Sequence, residues 1–180
     1  MRLLSWQENI LRDGYDIIEV IAPRGSGKTT LGVAWGMVAC DELIVLTKDR
    51  ANMTKVVNDI KDSISGKVNV KVLASVRQLR EVPTHPKKRY KVLVDEYFVN
   101  DFKLDDIDKA MGHTEYQIMF VGTRTKMEDT FKLPHSKWYN IQLLDMVLNG
   151  VMSPTAIEEL MKTRTYEEFL LDFNVSIDIN

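Results

Sequence analysis

The apolar residues of this chain gather into short runs, and the stretches between them carry helical spacing. Four runs rich in β-branched or aliphatic residues, DIIEVIA (16–22), LIVLT (43–47), YKVLVDE (90–96) and QIMFVGT (117–123), read as buried strands. A fifth, VNVKVLA (68–74), alternates enough to sit nearer a sheet edge. Of the helical stretches, GKTTLGVAWGMVAC follows the first strand, and ANMTKVVNDIKDSI sets Val56, Val57, Ile60 and Ile64 on one stripe. The tail from Ser153 to Phe173 reads as one or two helices, with Ser153 as N-cap, Pro154 at the first helical position and Glu158 and Glu159 early in the helix. Strands alternating with helices predict an α/β fold, a mostly parallel sheet covered by helices on both faces.

Composition changes this picture only at the margins. At 180 residues the chain has the size of one domain able to bury an ordinary core. A net charge of −2 with 28% charged residues gives no global basic field, so any DNA contact must be a local patch. The densest basic cluster is Lys87, Lys88 and Arg89, in the proline- and lysine-rich loop 81–91. That loop reads as an insertion point or a contact site, and simple solvation explains its charges equally well. The single cysteine, Cys40, excludes an internal disulfide, and zinc-ligand spacing is absent. Neither a secretory segment nor an apolar run of membrane-spanning length is present, so the expectation is a soluble, intracellular protein.

The first strand breaks into APRGSGKT, Ala22 to Thr29, with a helical pattern directly behind it. Strand, glycine-rich loop and helix in that order are the context of a phosphate-binding loop. Backbone N–H groups of Gly25, Ser26, Gly27 and Lys28 would form a concave nest at a helix N-terminus, where the dipole and unpaired donors favour an anion. Lys28 would reach the β- and γ-phosphates of ATP, and the Thr29 hydroxyl would ligate the Mg2+ bridging them. Ala22 stands where G-x-x-x-x-G-K-S/T has its first glycine, which an extended backbone tolerates. With Pro23, Arg24 and Thr30, this segment makes up the expected ATP-binding loop.

YKVLVDEY supplies the second half of such a site. An apolar strand ending in two acids brings Asp95 to the carboxyl edge of the sheet, where open α/β sheets bind ligands and where it can hold the magnesium shell. Glu96 is then free to orient and deprotonate water, a role that a binding-only protein has no need for. If the strand ending in Thr123 lies beside that of Asp95, Thr123 sits near the γ-phosphate and can sense its loss. Gln7, ahead of the first strand, can pair with adenine through one acceptor and one donor. The same stretch also reads as an amphipathic first helix with Trp6 and Ile10 in the core.

With Gln7, the phosphate loop, Asp95–Glu96 and Thr123 in this order, the chain resembles the ATPase domain of the large terminase subunit, the DNA-packaging motor protein of tailed bacteriophages. LLSWQENIL is similar to the family's adenine-reading segment, APRGSGKT to its arginine-containing phosphate loop, and KVLVDEY to its Walker B strand. VGTRT resembles the coupling motif, with Arg124 where the family often has proline, and MSPTAIEELMKTRTYEEFLLDFN resembles the helical segment that follows the ATPase strands. Similarity runs along nearly the whole chain. It implies an ASCE-type P-loop NTPase with 1–150 as ATPase core and 151–180 as a small C-terminal helical segment of the same domain. It also implies a homo-oligomeric ring, a pentamer, at the procapsid portal in the host cytoplasm, driving double-stranded DNA inward together with small terminase-like proteins and without a membrane. Arg24 matches the loop arginine that contacts the γ-phosphate and joins Glu96 and Lys28 in catalysis. A ring needs an arginine finger from a neighbour, and Arg80, Arg89 and Arg124 are the candidates among which the sequence does not choose. The family's nuclease domain would begin where the chain ends at Asn180, so DNA cutting is not expected.

Two other classes share parts of the pattern. A helicase-like nucleic-acid-dependent ATPase has the glutamine segment and the Asp–Glu pair, but usually a second motor domain with its own finger. A nucleotide-binding regulatory module needs the phosphate loop but no Glu96.

Overall fold

A computed structural model of the chain describes residues 4–63, 68–100, 102–126 and 133–173. Its elements run α1 (Ser5–Leu11), β1 (Ile17–Ile21), α2 (Lys28–Met37), β2 (Glu42–Leu46), α3 (Arg50–Lys61), β3 (Asn69–Leu73) and α4 (Val76–Arg80). They continue with β4 (Tyr90–Val94), α5 (Leu104–Met111), β5 (Tyr116–Gly122), β6 (Lys137–Asn140), α6 (Leu143–Leu148), α7 (Pro154–Lys162) and α8 (Tyr166–Asp172). The strands form one sheet in the order β3-β2-β4-β5-β1-β6. Every neighbouring pair is parallel. All five expected strands are present, and the alternating β3 lies at an edge as its pattern predicts.

Side-chain alternation divides each strand between two cores. Ile18, Val20, Leu43, Val45, Leu93, Met119 and Val121 point to the face that α1, α2 and α3 cover with Trp6, Ile10, Leu31, Trp35, Met53 and Val57. Ile44, Leu46, Val92, Val94, Ile118 and Phe120 point the other way, against Leu79 of α4 and Ile107 and Met111 of α5. Both faces are buried, which is why the strands read as continuous apolar runs. Helix α2 lies unusually close to the sheet. A Cβ added at Gly32 would stand 2.5 Å from the nearest Leu93 methyl, and one at Gly36 2.4 Å from a Leu43 methyl. Lys91, on the same face, is buried; its Nζ donates to the Trp35 carbonyl at 3.0 Å and lies 4.5 Å from the Trp35 ring centroid, so an apolar strand can carry it.

The N-terminal stretch is an amphipathic helix with Trp6, Gln7 and Ile10 buried. On α3, Val57 and Ile60 are buried and Val56 is half-buried, whereas Ile64 lies outside the described residues. The tail resolves into two helices. The Ser153 hydroxyl caps α7 by accepting from Ala156 N–H at 3.1 Å, with Pro154 in the first turn, and Thr165 caps α8 in a reciprocal box with Glu168. Four elements carry no strong sequence signal: α4, α5, α6 and the edge strand β6, whose Lys137 and Trp138 are exposed.

Candidate active site

The loop between β1 and α2 begins as a continuation of the strand. Ala22 N–H donates to the Gly122 carbonyl at 3.1 Å, and Ala22 has no positive φ, so its methyl group is accommodated without strain. Ser26 N–H then donates to the Pro23 carbonyl at 3.3 Å, turning the chain. Gly25 and Gly27 take φ of 73° and 79°, the left-handed region that glycine enters freely, and Gly27 is the N-cap of α2. Lys28, Thr29 and Thr30 open the helix, whose first N–H groups have no intrahelical acceptors. The Ser26 hydroxyl is buried and has no hydrogen-bond partner among the described residues. The Ser26 N–H expected in the anion nest is thus taken by Pro23, and an orphaned hydroxyl beside the open N–H groups of the helix start fits the oxygens of a phosphate chain.

From across the sheet β4 delivers the acids. Thr29 Oγ1 donates to Asp95 Oδ1 at 3.0 Å, and Lys28 Nζ lies 3.4 Å from Glu96 Oε1. Burial and the neighbouring Glu96 charge push the Asp95 carboxyl up to about 6, against the lowering effect of the Thr29 hydroxyl and Lys28. A divalent cation beside it would reverse that balance. Thr29 and Asp95 are the oxygen donors that suit Mg2+, which takes one or two protein ligands and fills its octahedron with phosphate and water oxygens. Glu96 itself has φ of 50°, a left-handed conformation rare for a residue with a side chain.

No protein-family model matches the sequence, and no curated protein matches it. Solved structures do match. The ATPase domain of the large terminase of Thermus phage P74-26 aligns with a TM-score of 0.66 at 10% identity, covering 96% of this chain and 93% of that one. An arginine-to-alanine variant of that domain aligns at 0.63 and 11% identity over the same shares. This chain has the fold of a phage large-terminase ATPase domain. The α/β architecture expected from the strand pattern and the family resemblance are thereby borne out at the level of fold.

Within the terminase ATPase fold, the remaining candidates divide by position. The Thr123 hydroxyl donates to the Ala22 carbonyl at 3.3 Å, so the end of β5 is tied to the start of the phosphate loop. Gln7 is buried; its Oε1 accepts from Leu4 N–H at 3.0 Å and its Nε2 donates to the Ser26 carbonyl at 3.4 Å, bracing the loop from α1. Arg24 turns away from the acids: its Nε lies 2.8 Å from Asp172 Oδ1 at the end of α8. Of the finger candidates, Arg124 follows Thr123 at the carboxyl edge and Arg80 is exposed at the end of α4. Arg89 precedes β4 at the opposite edge, paired with Asp41 at 3.3 Å, while Lys88 pairs with the buried Glu42 at 3.2 Å. The basic loop thus has acidic partners of its own. Sequence reasoning did not find Asp172 or Asn100, whose side chain reaches back to the Asp95 carbonyl at 2.9 Å. Neither lies in a phosphate-loop or Walker B pattern, and only the fold brings them there.

Proposed function

We propose that this chain is an ATP-hydrolysing motor that moves double-stranded viral DNA into a procapsid. The carrying observation is the convergence of Lys28–Thr29 with Asp95–Glu96, 66 residues apart for the Thr29–Asp95 hydrogen bond, into two direct contacts at 3.0 and 3.4 Å. The terminase-type fold supports packaging over other uses of the same chemistry.

In this reading, the loop N–H groups, Ser26 and Lys28 bind the phosphates of ATP, and Gln7 lies at the adenine side. Thr29 and Asp95 would hold Mg2+, which would supply charge neutralisation to the phosphates. Phosphate oxygens compete for Lys28 and release Glu96 from its ion pair. Glu96 then takes a proton from the water whose oxygen attacks the γ-phosphorus, as the bond to the bridging oxygen breaks and ADP leaves. Arg24 and a neighbour's arginine stabilise the charge that develops on the transferred group. Thr123 relays the loss of phosphate to β5. Residues 1–150 form the ATPase core and 151–180 its helical segment, working as a pentameric ring on the portal with small terminase-like partners.

Glu96→Gln tests the hydrolytic assignment. It should retain binding of ATP while turnover falls by about 10²- to 10⁴-fold. Unchanged turnover removes Glu96 from the role of base.

A further inference from the structure

The backbone at Glu96 needs an explanation that the phosphate site does not provide. The β2–β4 ladder continues to Asp95, whose N–H donates to the Leu46 carbonyl at 3.0 Å, and the next residue swings to φ of 50°. Such a conformation persists at a residue with a Cβ only where the surroundings over-determine it. Tyr97 N–H donates to the Val121 carbonyl at 3.0 Å, and Tyr97 packs edge-on to Phe120 with ring centroids 4.9 Å apart. These contacts fix the chain after Glu96. They leave the peptide between Asp95 and Glu96 free to flip, and flipping it changes ψ at 95 and φ at 96 together.

Two side chains hold that peptide, the Asp95 carboxylate accepting its N–H and Asn100 taking its carbonyl, and only Asn100 reaches it from outside the Asp95–Glu96 pair. Asn100 is 3% exposed, its Nδ2 donates to the Asp95 carbonyl at 2.9 Å, and its own N–H donates to the Glu96 carbonyl at 2.9 Å. Asn100 therefore holds the carbonyls on both sides of the Glu96 Cα. Val99 N–H, at 3.0 Å from the same Glu96 carbonyl, closes the turn without touching the Asp95 peptide. An amide is the required group at 100: it donates to a carbonyl at neutral pH, where a carboxylate only accepts.

Resting on the hydrolase reading above, we infer that Asn100 is a positioning residue that locks the Asp95–Glu96 peptide so that the Glu96 carboxylate faces Lys28 and the phosphate site. Asn100→Asp keeps the shape and removes the donor, setting a negative charge against the Asp95 carbonyl. The expected result is a fall in kcat of tenfold or more, with KM for ATP and the affinity for a non-hydrolysable ATP analogue within twofold of wild type. In a Glu96→Gln background the same substitution should change the residual turnover by less than twofold, because its effect passes through the carboxylate. A rise in KM with kcat unchanged, or an equal loss in both backgrounds, overturns the inference. A crystal structure of Asn100→Asp gives a readout independent of hydrolysis: φ at 96 should leave the left-handed region and the Lys28–Glu96 contact should open. If both stay as they are, Asn100 does not position Glu96, whatever the ATPase assay reports. Conversely, a wild type without turnover but with a flipped peptide in Asn100→Asp removes the hydrolase reading and keeps the positioning role.

Discussion

Asp172 holds Arg24 at two points, accepting the Arg24 N–H on its carbonyl at 2.9 Å and the guanidinium Nε on its carboxylate at 2.8 Å. The other carboxylate oxygen takes Arg164 Nε at 3.0 Å, so one acid ties the phosphate loop to the last helix. An arginine so engaged must exchange a carboxylate for a phosphate before it contacts ATP. With the Arg24 side chain largely exposed, that pair is worth about 1 kcal/mol at most. Asp172→Asn should therefore tighten ATP binding by up to about fivefold in a nucleotide titration. Unchanged or weaker affinity would mean that Asp172 does not compete with the nucleotide for Arg24.

The close approach of α2 to the sheet gives a stability prediction. Alanine at Gly36 gains about 1 kcal/mol of helix propensity, but its methyl group would meet Leu43 Cδ1 at 2.4 Å, Cδ2 at 2.7 Å and Cγ at 3.1 Å. Leu43 is fully buried and cannot swing clear, and overpacking of this kind costs about 1–3 kcal/mol. A net loss of roughly 1 kcal/mol is expected in urea denaturation. In a Leu43→Ala background the same substitution should become stabilising, because the space is then open. A loss of the same size in both backgrounds excludes this packing argument.

How far the sequence carries can be judged at these same residues. The strands were legible because burial on both faces demands unbroken apolar runs, and Lys28, Thr29, Asp95 and Glu96 because phosphate and metal chemistry demand set residue types at strand ends. Strand β6 was not: Lys137–Asn140 is only half covered, so its composition is that of a surface segment. Asn100 acts on a backbone carbonyl and Asp172 on the guanidinium groups of Arg24 and Arg164, partners that only the assembled fold brings to them, and aspartate or asparagine near a helix end is common for reasons of capping alone. The basic loop, whose charges the sequence left open between a contact and simple solvation, is the opposite case. Lys88 and Arg89 are adjacent in sequence, but their acids Glu42 and Asp41 come from the start of β2.

Glu19 provides a pH dependence. It is fully buried on β1 between Phe120 and Trp138 of the neighbouring strands, and burial raises its carboxyl above the ordinary glutamate value despite hydrogen bonds from Leu133 N–H and Ser136. The folded state thus keeps a proton that the unfolded state releases, and stability falls as pH climbs through the unfolded and then the folded value. Glu19→Gln retains an acceptor and cannot ionise. Its stability relative to wild type should rise as pH goes from acid to neutral, and the two proteins should converge in acid. A constant difference across urea curves at several pH values would contradict this.

A ring that borrows an arginine makes turnover depend on assembly. ATP hydrolysis per protomer should rise with protein concentration, and Glu96→Gln protomers, which keep all three arginines, should restore activity to whichever of Arg80→Ala, Arg89→Ala or Arg124→Ala removes the finger. First-order scaling from dilute to concentrated protein would sink the trans arrangement.

Charge pairing also sorts the basic loop as a DNA contact. A lysine contributes to the salt dependence of binding only when it neutralises a phosphate and releases counterions. Arg89 meets Asp41 through Nε at 3.3 Å and Nη2 at 3.4 Å, and Lys88 meets the buried Glu42, so both would have to break an existing pair first. Lys87 is exposed and forms no ion pair among the described residues. If this loop touches DNA, Lys87→Ala should reduce the steepness of log K against log salt by about one, whereas Arg89→Ala should leave it nearly unchanged. Equal reductions for Lys87, Lys88 and Arg89 would show that DNA displaces the acids. No reduction for any of them moves the DNA path to another face of the protein.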